Sequence, residues 1–86
     1  MKNEDVSFAT LQRFLSELGF TKIVGKGGYV VNDHAASGCQ LAYPPHGDDD
    51  RVARFHLAAT RKLLDEFGLV ERDEFDDRLR RHSVAS

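Results

Sequence analysis

With 86 residues, 41% hydrophobic content and a formal net charge of -2, the chain has the material for one modest core and one domain over 1–86. No apolar run approaches the roughly 20 residues that a bilayer crossing needs and nothing reads as a signal peptide, so a membrane span is excluded and a cytoplasmic location expected. The single cysteine, Cys39, closes no intramolecular disulfide, which excludes a disulfide scaffold and suits a reducing compartment.

Ser7 is placed to cap a first helix, because Phe8, Leu11, Phe14, Leu15 and Leu18 fall at helical spacing after it. That helix is expected over about Phe8 to Leu18. Gly19 supplies its left-handed stop, and Phe20 beyond it is set to fold back on the last turn. Three short β-type runs follow, at Ile23 and Val24, at Tyr29 to Val31 and at Cys39 to Tyr43, separated by glycine-rich or Ala-Ser-Gly turns. Three antiparallel strands are the economical reading.

Pro44 and Pro45 end the third run, since proline offers no N–H to a ladder. The loop "HGDDD" comes next, and its aspartates suit the start of a second helix as caps and as anions at the positive end of its dipole. Val52, Phe55, Ala59, Leu63 and Phe67 recur every three or four residues up to Gly68, which predicts that helix and its buried stripe. After it, "ERDEFDDRLRRH" carries only Phe75 and Leu79 as anchors on a charged segment. A short C-terminal helix within 70–82, lying on the surface, is the expectation, with Ser83 to Ser86 frayed. The fold class is therefore α+β, in the order α-β-β-β-α plus a small final helix. Both main helices belong on one face of the sheet, since each has one apolar stripe.

Charge is unevenly spread. Acid gathers at Asp48 to Asp50 and at Glu71, Asp73, Glu74, Asp76 and Asp77, whereas Lys22, Lys26, Arg51, Arg54, Arg61 and Lys62 lie in or beside the central elements. The acidic balance speaks against indiscriminate phosphate binding, which runs on Lys and Arg, yet leaves room for a locally basic face. Lys22, Lys26 and Arg54 are the phosphate-contact candidates, weighed against ordinary solvated charge.

"GKGG" lacks the spacing of a phosphate loop and is followed by a strand instead of a helix. A tight turn using glycine's access to positive φ is the plainer reading, although successive amides at Gly27 and Gly28 can also receive an anion. His34, Cys39, His46 and His56 show none of the compact pair spacings of a metal site, so no metal and no cofactor is assigned. Cys39 reads as a small buried apolar side chain, and His56 as exposed or hydrogen-bonded. No nucleophile triad is legible.

Taken together, "FATLQRFLSELGF", "KGGYVV", "YPPHG" and "RKLLDEFGL" resemble the HicA family of toxin-antitoxin ribonucleases, small proteins of a double-stranded-RNA-binding-like α-β-β-β-α fold. The resemblance spans roughly residues 7 to 69. The family's Leu-x-x-Gly-Phe corresponds to Leu15 through Phe20, and its Lys-Gly-Ser-His to Lys26, Gly27, Gly28 and Tyr29. Its Pro-x-His corresponds to Pro44, Pro45 and His46, and its Arg-Lys-Ile-Leu to Arg61, Lys62, Leu63 and Leu64. It implies an mRNA interferase that needs no metal and is neutralised by a HicB-type antitoxin protein.

Tyr29 is the departure that matters, because the family's catalytic histidine stands there. Cleavage of this kind takes a proton from a 2′-hydroxyl and gives one to the leaving oxygen, which calls for a group titrating near neutrality. A free phenol, with a reference pKa of about 10, is a poor base, though it can donate a proton or stack on a base. Strand parity puts His34 on the opposite side from Tyr29 and Val31. His46 is the better stand-in, so Tyr29 and His46 are the catalytic candidates. Two other readings stay open: a catalytically impaired RNA-binding or protein-interaction module on the same fold, and a partner-binding domain without nucleic acid.

Overall fold

Ser7 does what its residue type predicts. In a computed structural model of the chain, which describes residues 6–85 with side chains to residue 82, its Oγ accepts the Thr10 N–H at 3.2 Å. Helix α1 then runs over Phe8–Glu17 and buries Phe8, Leu11, Phe14 and Leu15 together with Thr10. Gly19 ends it at φ 104°, Phe20 N–H returns to the Leu15 carbonyl at 3.0 Å, and the Phe20 ring is buried. A glycine carries the reversal because a Cβ is strained at that φ.

The sheet holds β1 (Thr21–Val24), β2 (Val30–His34) and β3 (Cys39–Tyr43) in the order β1-β2-β3, all antiparallel. Its register pairs Lys22 with Asn32, Asn32 with Leu41, and Val30 with both Val24 and Tyr43. Directly opposed residues share a face, so Val30, Asn32, Cys39, Leu41 and Tyr43 form one buried layer, while Ile23, Val31, Asp33, Gln40 and Ala42 form the other side. Gln12 of α1 bonds Asn32 at 2.7 Å on the inner layer, and Thr60 of the later helix α2 (Arg54–Glu66) bonds Tyr43 there at 2.7 Å. Both main helices therefore cover the same face. The outer face is open.

The aspartates of 48–50 do not start α2. Its N-cap is Ala53, without a side-chain bond and with no acid in the first turn. The backbone carbonyls of Asp50 and Asp48 instead accept the N–H groups of Phe8 and Ala9 at 2.9 and 3.0 Å, and the Asp50 carboxylate accepts the Gly47 N–H at 2.8 Å. Ser7 bridges to Arg51, and Val52 N–H reaches the Val6 carbonyl at 2.8 Å. The loop expected to serve the second helix thus satisfies the orphan donors of the first.

The buried stripe of α2 also differs from the expected one. Leu57, Thr60 and Leu64 face the core, while Phe55 is 69% exposed and Phe67 42% exposed. Both stripes have helical spacing; the observed one buries Leu57 and Leu64 and lets Thr60 bond the Tyr43 hydroxyl.

Helix α3 (Arg72–Ala85) is longer than the expected 70–82 segment and is no surface appendage. It packs against α1 and α2, with Phe75 and Leu79 fully buried and the Phe75 ring edge-on to Phe14 at 5.6 Å. Two anchors suffice because they enter the centre of the shared core. The helix continues through Ser83 to Ala85, where fraying was expected, and Ser86 lies outside the described residues. Among the described residues no helix is long and apolar enough to cross a membrane.

Candidate functional site

Lys26–Gly28 forms one 3-10 turn between β1 and β2, with φ of 73° at Gly27 and 85° at Gly28. Two successive positive φ values explain the Gly-Gly pair, since a side chain at either position strains the backbone. The Gly28 N–H goes to the Gly25 carbonyl at 3.2 Å and the Gly25 N–H to the Tyr29 carbonyl at 2.8 Å. The amide of Gly28 is thus spent inside the turn, and the group that the turn offers to solvent is the exposed Lys26 side chain.

Tyr29 follows in extended geometry and is 53% exposed. Val30 after it is buried, so parity directs Tyr29 to the open face of the sheet, the side that carries Ile23 at 49% exposure, Val31 and the exposed Ala42. His34 lies on the other face, with its ring 5.1 Å from that of Phe20 and its Nδ1 2.8 Å from Ser37 Oγ. It does not reach the Tyr29 position.

The turn meets the loop after β3. A Cβ built on Gly28 would stand 3.3 Å from the Cβ of Pro45, so the turn packs directly on the proline ring and a side chain there would press on it. The β2–β3 ladder closes with Val30 paired to Tyr43, the residues next to Tyr29 and Pro44 in the chain. Folding therefore unites the two segments that carry the catalytic candidates.

His46, half-buried, lies flat on Phe8 with ring centroids 3.6 Å apart and planes 7° apart. Its Nδ1 is 3.3 Å from the Gly47 carbonyl, an atom that only accepts, so the contact uses Nδ1–H and leaves the Nε2 lone pair. The ring lines a cleft walled by Phe8, Pro44 and Pro45, whose polar members are Asp50, Arg51 and His56. His56 stands edge-on to Tyr43 at 5.8 Å and tilts against Phe55 at 4.2 Å. Sequence reasoning left His56 out of the site. Its position two residues into α2 was legible, but the chain returning through the Pro-Pro loop to face it was not.

Set against protein-family models, curated proteins and solved structures, the chain matches none. What the site does is read from its own side chains.

Arg54, exposed at the first position of α2, stands two residues before His56. Lys22 is separated from this group, because its partner Asn32 faces the helices and Lys22 shares that side. It lines a groove along α1 with Gln12, Arg13, Glu17 and His82. Beneath it, Asn32 accepts one bond from Gln12 while its own Nδ2 finds no partner among the described residues. Cys39 is fully buried, and burial pushes its thiol up from the usual value, away from the thiolate chemistry of a reactive cysteine. Among the described residues no group of three or more His, Cys, Asp or Glu side chains is gathered for a metal ion.

The two imidazoles share one cleft, while the exposed Lys26 and the half-exposed Tyr29 lie on the neighbouring turn that Gly28 packs against Pro45. Imidazoles in a cleft can accept and donate hydrogen bonds to a phosphodiester, and an exposed phenol can stack an unpaired base.

Proposed function

We propose that this chain is a HicA-like RNA-binding toxin on a double-stranded-RNA-binding-like fold, an mRNA interferase acting in the cytoplasm and neutralised by a HicB-type antitoxin that covers the Tyr29 surface. The observation that carries the reading is the packing of Gly28 on Pro45, which sets Lys26 and Tyr29 beside the loop that bears His46. In this reading Lys26 and Arg54 contact phosphates, Tyr29 stacks on a base or hydrogen-bonds the phosphate, and His46 takes the proton of the 2′-hydroxyl. The α-β-β-β-α order and the open sheet face support it.

Purified protein incubated with a labelled mRNA tests the reading. Cleavage that disappears in His46→Ala is the expected result. Absence of cutting by the natural chain, with cutting by Tyr29→His, overturns the claim of activity.

A second reading is favoured by one specific feature, the phenol of Tyr29 at the place of the family's histidine. It makes the same surface an RNA-binding module without cleavage. RNA retention that weakens with salt, without any cut product, is its signature.

A further inference from the structure

We infer that His56 is the second proton-transfer group of this site, forming with His46 an acid–base pair that cleaves single-stranded RNA across the cleft between the 44–53 loop and the start of α2. The inference rests on the cleavage reading above and adds to it the residue that a single histidine leaves wanting. Strand scission at a ribose needs a base at the 2′-hydroxyl and an acid at the departing 5′-oxygen, on opposite sides of the phosphorus. One imidazole cannot serve both in the same step.

Two features of the fold bring a second imidazole to the cleft. The Val6–Ser7 segment pairs with Arg51 and Val52, which pins the chain between His46 and α2. Phe8 then links the two rings: His46 stacks on its face at 3.6 Å, its edge meets Tyr43 at 5.7 Å, and Tyr43 meets His56 at 5.8 Å. Both imidazoles line the same opening, with Arg51 beside them and with the Asp50 carboxylate turned to the Gly47 N–H.

The contact of His46 with Gly47 assigns it the base, and His56 is left as the acid. His46, whose Nδ1–H points to the Gly47 carbonyl, presents Nε2 as the base. It takes the 2′-hydroxyl proton as the 2′-oxygen forms its bond to phosphorus. The bond from phosphorus to the 5′-oxygen breaks, and that oxygen takes a proton from the His56 imidazolium. The products are a 2′,3′-cyclic phosphate and a 5′-hydroxyl, and proton exchange with water restores both rings. Neither oxidant nor further reactant enters.

The test compares the natural chain with His46→Ala and His56→Ala, with His56→Gln as the milder substitute, on two substrates: a single-stranded RNA and a ribonucleoside 3′-(p-nitrophenyl phosphate), whose leaving group departs without an acid. The expected result is a loss of roughly 10²–10⁴-fold in RNA cleavage for both alanine variants, since each removes one proton transfer. On the activated ester His56→Ala recovers to within about tenfold of the natural chain while His46→Ala does not. The natural chain, measured without any variant, gives a bell-shaped pH–rate profile on RNA, and His56→Ala lacks its alkaline limb. If His56→Ala and His56→Gln cut RNA within about threefold of the natural chain, or lose equally on both substrates, the pair is wrong while cleavage by this protein stands. A profile with one limb also overturns it. If the natural chain binds RNA and never cuts it, the cleavage reading fails and the pair falls with it.

Discussion

Gly28 presses against Pro45 so closely that a methyl group on it would stand 3.3 Å from the proline Cβ, and this contact is the seam between the two halves of the site. The three glycines of the turn therefore differ in kind. Gly25 has an ordinary negative φ of -99° and room for a side chain, Gly27 has a positive φ without crowding, and Gly28 has both a positive φ and a neighbour. Alanine should be nearly neutral at Gly25, cost about 1 kcal/mol at Gly27, and cost more at Gly28. Urea unfolding of the three variants gives the order. RNA affinity should fall for Gly28→Ala beyond its effect at Gly27, because only that change displaces the His46 loop.

On the proposed RNA-binding function, Lys26 and Tyr29 should separate the electrostatic from the stacking part of the affinity. Lys26→Ala should weaken binding evenly across sequences and lower the salt slope by about 1, the value of one released counterion. Tyr29→Ala should cost about 1–3 kcal/mol of affinity and leave the slope alone, as expected for loss of a stacking platform. Both residues are exposed, so neither change should move the unfolding temperature appreciably. Filter binding at several salt concentrations distinguishes these outcomes, and equal slopes for both variants would contradict the assignment.

The core offers a sharp contrast between two phenylalanines. Phe75→Ala removes a ring that is 1% exposed and lies against Phe14, and should cost about 3–5 kcal/mol, a large part of the roughly 4–13 kcal/mol that a chain of this length holds. Phe55→Ser removes a ring that is 69% exposed and should change stability by no more than about 0.5 kcal/mol. Thermal unfolding of the two variants checks that α3, despite its charged composition, is part of the core.

Alkaline pH should destabilise the protein through Tyr43. Burial pushes its phenol up from 10.0 to about 12, against the smaller opposing pull of the Thr60 hydrogen bond. A raised folded-state value means that this contribution to stability is complete below pH 10 and is lost as pH climbs to about 12, where the unfolded chain binds fewer protons. The loss amounts to about 3 kcal/mol at 1.36 kcal/mol per unit. Tyr43→Phe should flatten that decline, while costing about 1 kcal/mol at neutral pH through the lost bond to Thr60. Denaturation profiles between pH 8 and about pH 12 would show it.

Asn32 is fully buried with its Nδ2 unsatisfied, so one polar group was taken from water without compensation. Replacing it by leucine, similar in size, should raise stability by about 1 kcal/mol, since Gln12 lies near the surface and can turn to water. A lower denaturation midpoint for Asn32→Leu would refute this account of the inner layer.

What could be read from the chain alone were the features that depend on near neighbours. The Ser7 cap, the Gly19 stop with Phe20 folded back, the three strands and the glycine turn each involve residues within about five positions of one another, where residue type dictates backbone conformation. Strand parity separated His34 from Tyr29 correctly, because alternation is a local property. The partners of the aspartate loop, the inward face of α2, the depth of Phe75 and Leu79, and the cleft shared by His46 and His56 were settled by folding. Each joins segments far apart in sequence, and which of two helically spaced faces turns inward depends on the neighbours the helix packs against.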